Sequence, residues 1–217
     1  MAPPPGDQRT REPRRMVLIG LTGNIASGKS TVMAILHEFG AATLDADQLV
    51  HQLMEPNTPV TKAVAAAFGP DILDERGAVH RQRLGTIVFR DPEALRRLEA
   101  IVHPAVGRAI ETELKRWQAT PTPPPALVLE AVKLVESGRY RMCDALWVVV
   151  ADREVQRERL ITRRGLSPAE ADARLDAQPP LAQKLKLADE IIVNNGSLYA
   201  LRRQVEEAWA RTLANVT

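Results

Sequence analysis

Residues Gly23-Asn24-Ile25-Ala26-Ser27-Gly28-Lys29-Ser30 spell G-x-x-x-x-G-K-S, a spacing that suits a loop for cradling phosphates. Its glycines let the backbone turn tightly, so that N–H groups converge on a polyphosphate at a helix N-terminus. Lys29 supplies a point charge for the β- and γ-phosphates, and Ser30 supplies a hydroxyl for Mg²⁺. The flanks agree with this chemistry. Upstream, Met16-Val17-Leu18-Ile19-Gly20-Leu21 is unbroken apolar sequence, as in a parallel strand buried on both faces. Downstream, Val32, Ile35, Leu36 and Phe39 recur at helical spacing, and Gly40 stops the helix. Strand, glycine loop and helix therefore stand in the order that binding a nucleoside triphosphate requires.

Moving a phosphoryl group onto a hydroxyl also needs a proton acceptor, and a carboxylate at the C-terminal edge of a strand is well placed for it. Asp45 and Asp47 both follow a short strand, Ala41-Ala42-Thr43-Leu44; Asp45 reads as a cap or structural partner, and Asp47 as either the base or a helix N-cap. His51 lies one turn beyond Asp47, so the two can face one cleft. Glu130 ends the run Ala126-Leu127-Val128-Leu129, where an acid either holds Mg²⁺ or its water, or simply meets solvent. Gln156, Arg159 and Arg163 fall at i, i+3 and i+7, placing an amide and two guanidiniums on one helix face. Paired with Glu154 and Glu158 they would be an ordinary solvated face. Because the capped segment at Ser167 follows directly, we read them as lid arginines for ATP phosphates, Arg163 ahead of Arg159, with Lys184 adding a cation where the lid ends. With no His/Cys cluster, Mg²⁺ is expected to arrive with ATP.

The elements that must position these groups can be read along the chain. Thr58-Pro59 and Asp91-Pro92-Glu93 each set a capping side chain before a proline at the first helical position. Leu95, Leu98, Ile101 and Val102 form one face of the second of these helices, which His103-Pro104 should kink or restart. The proline-rich run from Thr120 to Pro125 is a stiff connection. Ala126 to Glu130 and Ala145 to Val150 read as strands, and Asp152 as the cap of the next helix. Ser167-Pro168-Ala169-Glu170 is a capping box. A last strand, Ile191-Ile192-Val193, turns at Asn194-Asn195-Gly196 into a helix capped by Ser197 that buries Leu198, Leu201, Val205, Ala208 and Trp209. Five apolar strands separated by helices give a parallel α/β sheet.

Composition narrows the class. A chain of 217 residues can bury one substantial core, and 45% apolar with 26% charged residues is ordinary for a globular protein. The formal charge of +2 is matched by residues 1–15, with Arg9, Arg11, Arg14 and Arg15 against Asp7 and Glu12. The rest is balanced, so neither a nucleic-acid face nor nucleic-acid binding is indicated. A single cysteine, Cys143, excludes an internal disulfide and suits the cytoplasm. No stretch reads as a membrane span or signal peptide, and residues 1–15 read as a flexible tail. A GTPase switch would need Asn-Lys-x-Asp, which is missing, and Asp74-Glu75-Arg76-Gly77 lies in a polar turn instead of following a core strand.

From Val17 to about Val205 the chain resembles bacterial dephospho-CoA kinases. The matching stretches are Leu21 to Thr31, Asp45-Ala46-Asp47-Gln48-Leu49-Val50-His51, Arg81 with Leu84 and Val88-Phe89, Ile101-Val102-His103-Pro104, Gln156 with Arg159 and Arg163, and Ala188 to Gly196. The resemblance implies a P-loop NTPase fold of the nucleoside-monophosphate-kinase type: core 16–50, 120–162 and 186–217, a helical acceptor-binding insertion at about 51–119, and a small helical lid at about 163–185. It implies Mg²⁺-dependent transfer of the ATP γ-phosphoryl to the ribose 3′-hydroxyl of dephospho-CoA, the last step of coenzyme A synthesis, by a monomer or weak homo-oligomer. Gly23, Asn24, Ile25, Ala26, Ser27, Gly28, Lys29, Ser30, Thr31, Arg159, Arg163 and Asn194 then face ATP, with Asn194 near the adenine; Lys29, Arg163 and Asp47 are catalytic, Asp47 at the family's base position. Asp47, His51, Arg81, His103, Lys133 and Glu136 face the acceptor, Arg81 suiting its diphosphate, and Ser30 and Glu130 face Mg²⁺. One stretch departs: the family's Asp-x-Pro-Leu-Leu-Phe-Glu is here Glu130-Ala131-Val132-Lys133-Leu134-Val135-Glu136. The competing readings are a nucleoside-monophosphate kinase and, from another class, a P-loop regulatory module.

Overall fold

The computed structural model describes residues 16–216; the expected tail at residues 1–15 lies outside them. Strand β1 (Val17–Gly23) is buried along its whole length, as its unbroken apolar sequence predicts. It feeds helix α1 (Lys29–Glu38), which buries Val32, Ile35 and Leu36 and ends at Phe39, with Gly40 at φ +89° just beyond. Strand β2 (Ala42–Asp45) leads into α2 (Ala46–Leu53), capped by Asp45. The insertion follows as α3 (Pro59–Phe68), capped by Thr58, then α4 (Arg81–Arg90) and α5 (Pro92–Gln118), capped by Asp91. Strands β3 (Ala126–Glu130) and β4 (Ala145–Val150) precede α6 (Arg153–Arg164), α7 (Pro168–Asp176) and α8 (Leu181–Leu187). Strand β5 (Glu190–Val193) and the long α9 (Leu198–Val216) close the chain.

The five strands form one parallel sheet in the order β2-β3-β1-β4-β5. Register then decides what meets at its C-terminal edge. Glu130 pairs with Leu21 on one side and with Asp45 on the other, so both acids end up beside the glycine loop. That edge is where open α/β sheets bind ligands. The two faces of β1 serve two cores: Leu18 joins the insertion helices, while Val17, Ile19 and Leu21 join α1 and α9. On the second face Trp147 is fully buried, its indole N–H donating to Thr212 Oγ1 at 3.0 Å. No helix of the described residues is long and apolar enough to cross a membrane.

Four local expectations are corrected. Helix α5 is continuous through His103-Pro104 and does not restart there. Val102, Ala105, Val106 and Ile110 are all buried against the same core, and that shared face holds both halves in one helix despite the missing proline N–H. Leu95 is 41% exposed, while its neighbour Ala94 takes the buried position in the first turn of α5. Leu198 is 64% exposed, since α9 reaches the sheet only at Leu201. Asp152 occupies the N-cap of α6 without a side-chain bond; its backbone N–H instead donates to Asn195 Oδ1 at 2.8 Å.

Candidate active site

The glycine loop is shaped by close approach. A Cβ on Gly23 would stand 2.3 Å from Val149 O, and one on Gly28, at φ +98°, would stand 1.9 Å from Asn194 Nδ2. The loop carbonyls are tied from behind. Asn194 Nδ2 donates to Ser27 O at 2.8 Å, and Arg159 Nη1 donates to Ala26 O and Ser27 O at 3.1 and 3.2 Å. Arg159 Nη2 donates to Asn194 O and Oδ1 at 2.9 and 3.2 Å. Ile25 N–H donates to Gln178 Oε1, a tie to the segment after α7. Lys29 and Ser30 open α1, where backbone N–H groups have no intrahelical acceptor and are free for an anion.

Lys29 Nζ donates to Gly23 O at 3.1 Å and Asn24 O at 3.4 Å, and stands 3.9 Å from Glu130 Oε1. Burial pushes the Lys29 amine below its ordinary range, opposed by the charges of Glu130 and Asp47. Burial likewise raises the Glu130 carboxyl, opposed by Lys29 and reinforced by Asp45 and Asp47. Desolvation outweighs the pairing on both sides. Together with Ala26, Gly28, Ser30, Thr31, Arg159, Arg163 and Arg164 these two residues line a cleft of about 220 Å³. A second pocket of about 110 Å³, lined by Asn194, Gly196, Leu198 and Leu201, adjoins it through Gly28, Thr31, Arg159 and Arg163.

The acid pair divides its labour. Asp45 is the cap of α2, its Oδ1 accepting from the N–H groups of Asp47 at 2.8 Å and Gln48 at 3.0 Å. Asp47, in the first turn, is exposed and its carboxylate has no hydrogen bond or ion pair among the described residues, yet its charge acts on Lys29, Glu130 and Arg139. His103, on α5, is half-buried; burial lowers its imidazole, Arg139 lowers it further, and Glu99 opposes both.

Not every expected residue converges here. Both terminal nitrogens of Arg159 donate to protein oxygens, although the side chain lines the cleft. Asn194 is likewise committed to the loop, and Gln156 is buried. His51 turns toward Glu55, with Nε2 3.7 Å from Oε1. Arg81 and Lys133 are exposed, and their side chains make no hydrogen bond or ion pair among the described residues. Glu136 pairs with Lys184 at 3.4 Å. Lys184 is itself 1% exposed and donates to Val132 O, which also accepts from Thr22 Oγ1. The segment with α7 packs Leu175 and Ala171 on Leu160, Ile25 and Ala26, and Arg153 and Arg157 bind Asp176 and Asp172.

Sequence reasoning missed Arg164, Glu99 and Arg139. The adjacent Arg163-Arg164 pair and the i, i+4 spacing of Glu99 and His103 were available signals. Arg139 has none, because it follows Gly138 (φ +71°) in a short 3₁₀ turn and its charge acts with those of Asp47 and Glu99, and on His103, only through the tertiary fold. Among the described residues no three His, Cys, Asp or Glu side chains form a metal cluster.

A family model described as dephospho-CoA kinase matches residues 17–200. A dephospho-CoA kinase from Symbiobacterium thermophilum is 52% identical over 194 residues, 89% of this chain and 80% of that protein. One from Geobacter sulfurreducens is 44% identical, covering 90% of this chain and 98% of its own. Among solved structures, one from Thermus thermophilus superposes with TM-score 0.74 at 36% identity, covering 94% of this chain and 99% of its own. A dephospho-CoA kinase from Campylobacter jejuni gives 0.63 at 27% identity over 92% and 98%.

Proposed function

The chain belongs to the dephospho-CoA kinase family, and from that premise we propose how its own residues carry ATP-dependent phosphorylation of dephospho-CoA. The triphosphate lies along the glycine loop, with the α1 N-terminus and Lys29 at the β- and γ-phosphates. Arg163 and Arg164 cover the transferring phosphoryl from α6, and residues 163–185 act as the lid that excludes water. Arg159 and Asn194 hold the loop in shape from behind. Adenine occupies the smaller pocket beside Asn194 and Gly196.

Asp47 accepts the proton of the ribose 3′-hydroxyl as that oxygen attacks the γ-phosphorus in line. The observation that carries this assignment is its carboxylate, without a partner among the described residues, relieved of capping by Asp45 and within electrical reach of Lys29. His51, Arg81, His103, Lys133 and Glu136 complete the acceptor side. The donor set also fits Mg²⁺ brought by ATP, since the Ser30 hydroxyl and the Glu130 carboxylate open into one cleft. When bound, the ion neutralises charge on the β- and γ-phosphate oxygens. The fold also fits a cytoplasmic enzyme working as a monomer or weak homo-oligomer.

Asp47→Asn keeps the shape of the side chain and removes its basicity. It should slow transfer by about 10²- to 10⁴-fold while the KM for ATP changes little, measured in a coupled ADP-release assay. A loss confined to the KM for dephospho-CoA would make Asp47 a binding group. In the same assay AMP, UMP and GMP should give no turnover as acceptors.

A further inference from the structure

Among the described residues only Ala26 and Asn57 combine a side chain with a positive φ, +56° and +65°. Ala26 is the third residue of a turn that Ser27 N–H closes by donating to Asn24 O at 3.3 Å, a place that glycine ordinarily takes. An alanine there is strained, so the surrounding structure must hold the turn in shape. What the turn carries makes that shape matter. Asn24 O also accepts from Lys29 Nζ at 3.4 Å, and Ala26 lines the nucleotide cleft beside Gly28, Lys29 and Ser30.

Two side chains hold the central residues of this turn from outside the loop. Arg159 Nη1 donates to Ala26 O at 3.1 Å, and Gln178 Oε1 accepts from Ile25 N–H at 3.1 Å. Gln178 lies just after α7, within the lid segment and 153 residues along the chain from Ile25. The cleft lining takes in Ala26 but not Ile25, so Gln178 works behind the loop and not against the ligand. Ile25 and Ala26 also rest on the apolar cluster of Leu160, Ala171 and Leu175. Apolar packing is indifferent to how a peptide plane is turned, whereas a hydrogen bond to its N–H is directional. Of the contacts that the lid segment makes with the loop, the Gln178 bond is therefore the one that orients the Ile25 peptide.

We propose that Gln178 is a positioning residue for ATP: its Oε1, fixed on Ile25 N–H, holds the turn at Ala26 in the left-handed form in which the glycine loop receives the triphosphate. The inference rests on ATP binding at this loop, set out above, so wild-type affinity for ATP with Mg²⁺ is measured first, by calorimetry without acceptor. A wild type that binds no ATP would overturn that reading and leave Gln178 no site to prepare.

Given wild-type binding, Gln178→Met keeps the length of the side chain and removes the accepting oxygen. Its Kd for ATP should rise about 3- to 10-fold, the scale of one hydrogen bond that no longer favours the competent loop. At saturating ATP, kcat and the KM for dephospho-CoA should stay within about twofold, because bound nucleotide restores the loop. The discriminating comparison uses Ala26→Gly, in which the turn takes a positive φ without strain. In that background Gln178→Met should change the Kd for ATP by less than about twofold. A tie that merely steadied the lid would weaken binding equally in both backgrounds, and that result would overturn the proposal. An unchanged Kd with Ala26 in place, an effect confined to kcat, or tighter binding of ATP by Gln178→Met would each overturn it too, the last by making Gln178 a competitor for the loop amide. One check needs no variant. In the nucleotide-free wild type, Ile25 N–H should exchange with solvent at least about 100-fold more slowly than an unprotected amide, and Gln178→Met should lose that protection. Unprotected exchange at Ile25 in the wild type would end the proposal even if Gln178→Met failed to fold.

Discussion

Replacing Arg159 by alanine separates a residue that touches the nucleotide from one that shapes the loop around it. The side chain makes four donations, to Ala26 O, Ser27 O, Asn194 O and Asn194 Oδ1, at 3.1, 3.2, 2.9 and 3.2 Å. Hydrogen bonds from a charged donor are each worth about 1.5–3 kcal/mol net. The cleft is open, however, so water replaces part of what is lost, and the four do not add. A total near 3 kcal/mol is a reasonable expectation. For a chain of this size that lowers the melting temperature by about 6–12 °C at roughly 2–4 °C per kcal/mol. The measurement is thermal unfolding of the nucleotide-free enzyme followed by circular dichroism, with Arg163→Ala beside it. Arg163 is exposed, so its removal should leave melting within about 1 °C while transfer slows by about 10- to 100-fold. If Arg159→Ala melts like wild type and only its KM for ATP rises, the guanidinium serves the phosphates and the loop-shaping argument fails.

Gly28→Ala combines a left-handed φ with a contact at 1.9 Å from Asn194 Nδ2, so it should cost about 2–4 kcal/mol and raise the KM for ATP more than tenfold; near-native ATP kinetics would refute the loop geometry. Thr212→Val leaves the buried Trp147 N–H without its acceptor, predicting a loss of about 1–3 kcal/mol in urea unfolding with kcat unchanged. Burial, reinforced by Asp144, pushes the Cys143 thiol up to about 12, so iodoacetamide at pH 8 should alkylate the folded enzyme at least about 100-fold more slowly than the urea-unfolded chain. The folded state holds that proton where the unfolded chain releases it, so the associated stability is complete below about pH 9 and is lost as pH rises toward 12.

What could be read directly was what local chemistry determines. The apolar run before Gly23, the prolines after Thr58, Asp91 and Ser167, and the acid ending β3 all mark their elements because each acts on its immediate neighbours. Asp45 as cap was likewise visible as one of two candidates, and the structure separates it from Asp47. Spacing along one helix could not show where the partners lie. Arg159 and Arg163 share a face, but the P-loop carbonyls arrive from more than a hundred residues away and engage only the first. Lys184 reads in sequence as a cation closing the lid; Val132 O and Glu136, brought by the turn that follows β3, bury it instead. Pro104 looked like a break because a proline's local cost is legible and a shared buried face is not.

The strand order has a consequence for how the chain is made. Strands β1 and β2 leave the ribosome first, but they never pair with each other; β3 must slide between them, and β4 must close the other side of β1. Val17 meets its partner Ala126 only after about a hundred more residues have been added, which takes on the order of 5–20 s at ordinary rates of synthesis. During that interval a seven-residue strand destined for complete burial has no native neighbour on either edge. Nascent chains should therefore be most vulnerable to aggregation, and most dependent on chaperones, until β4 emerges.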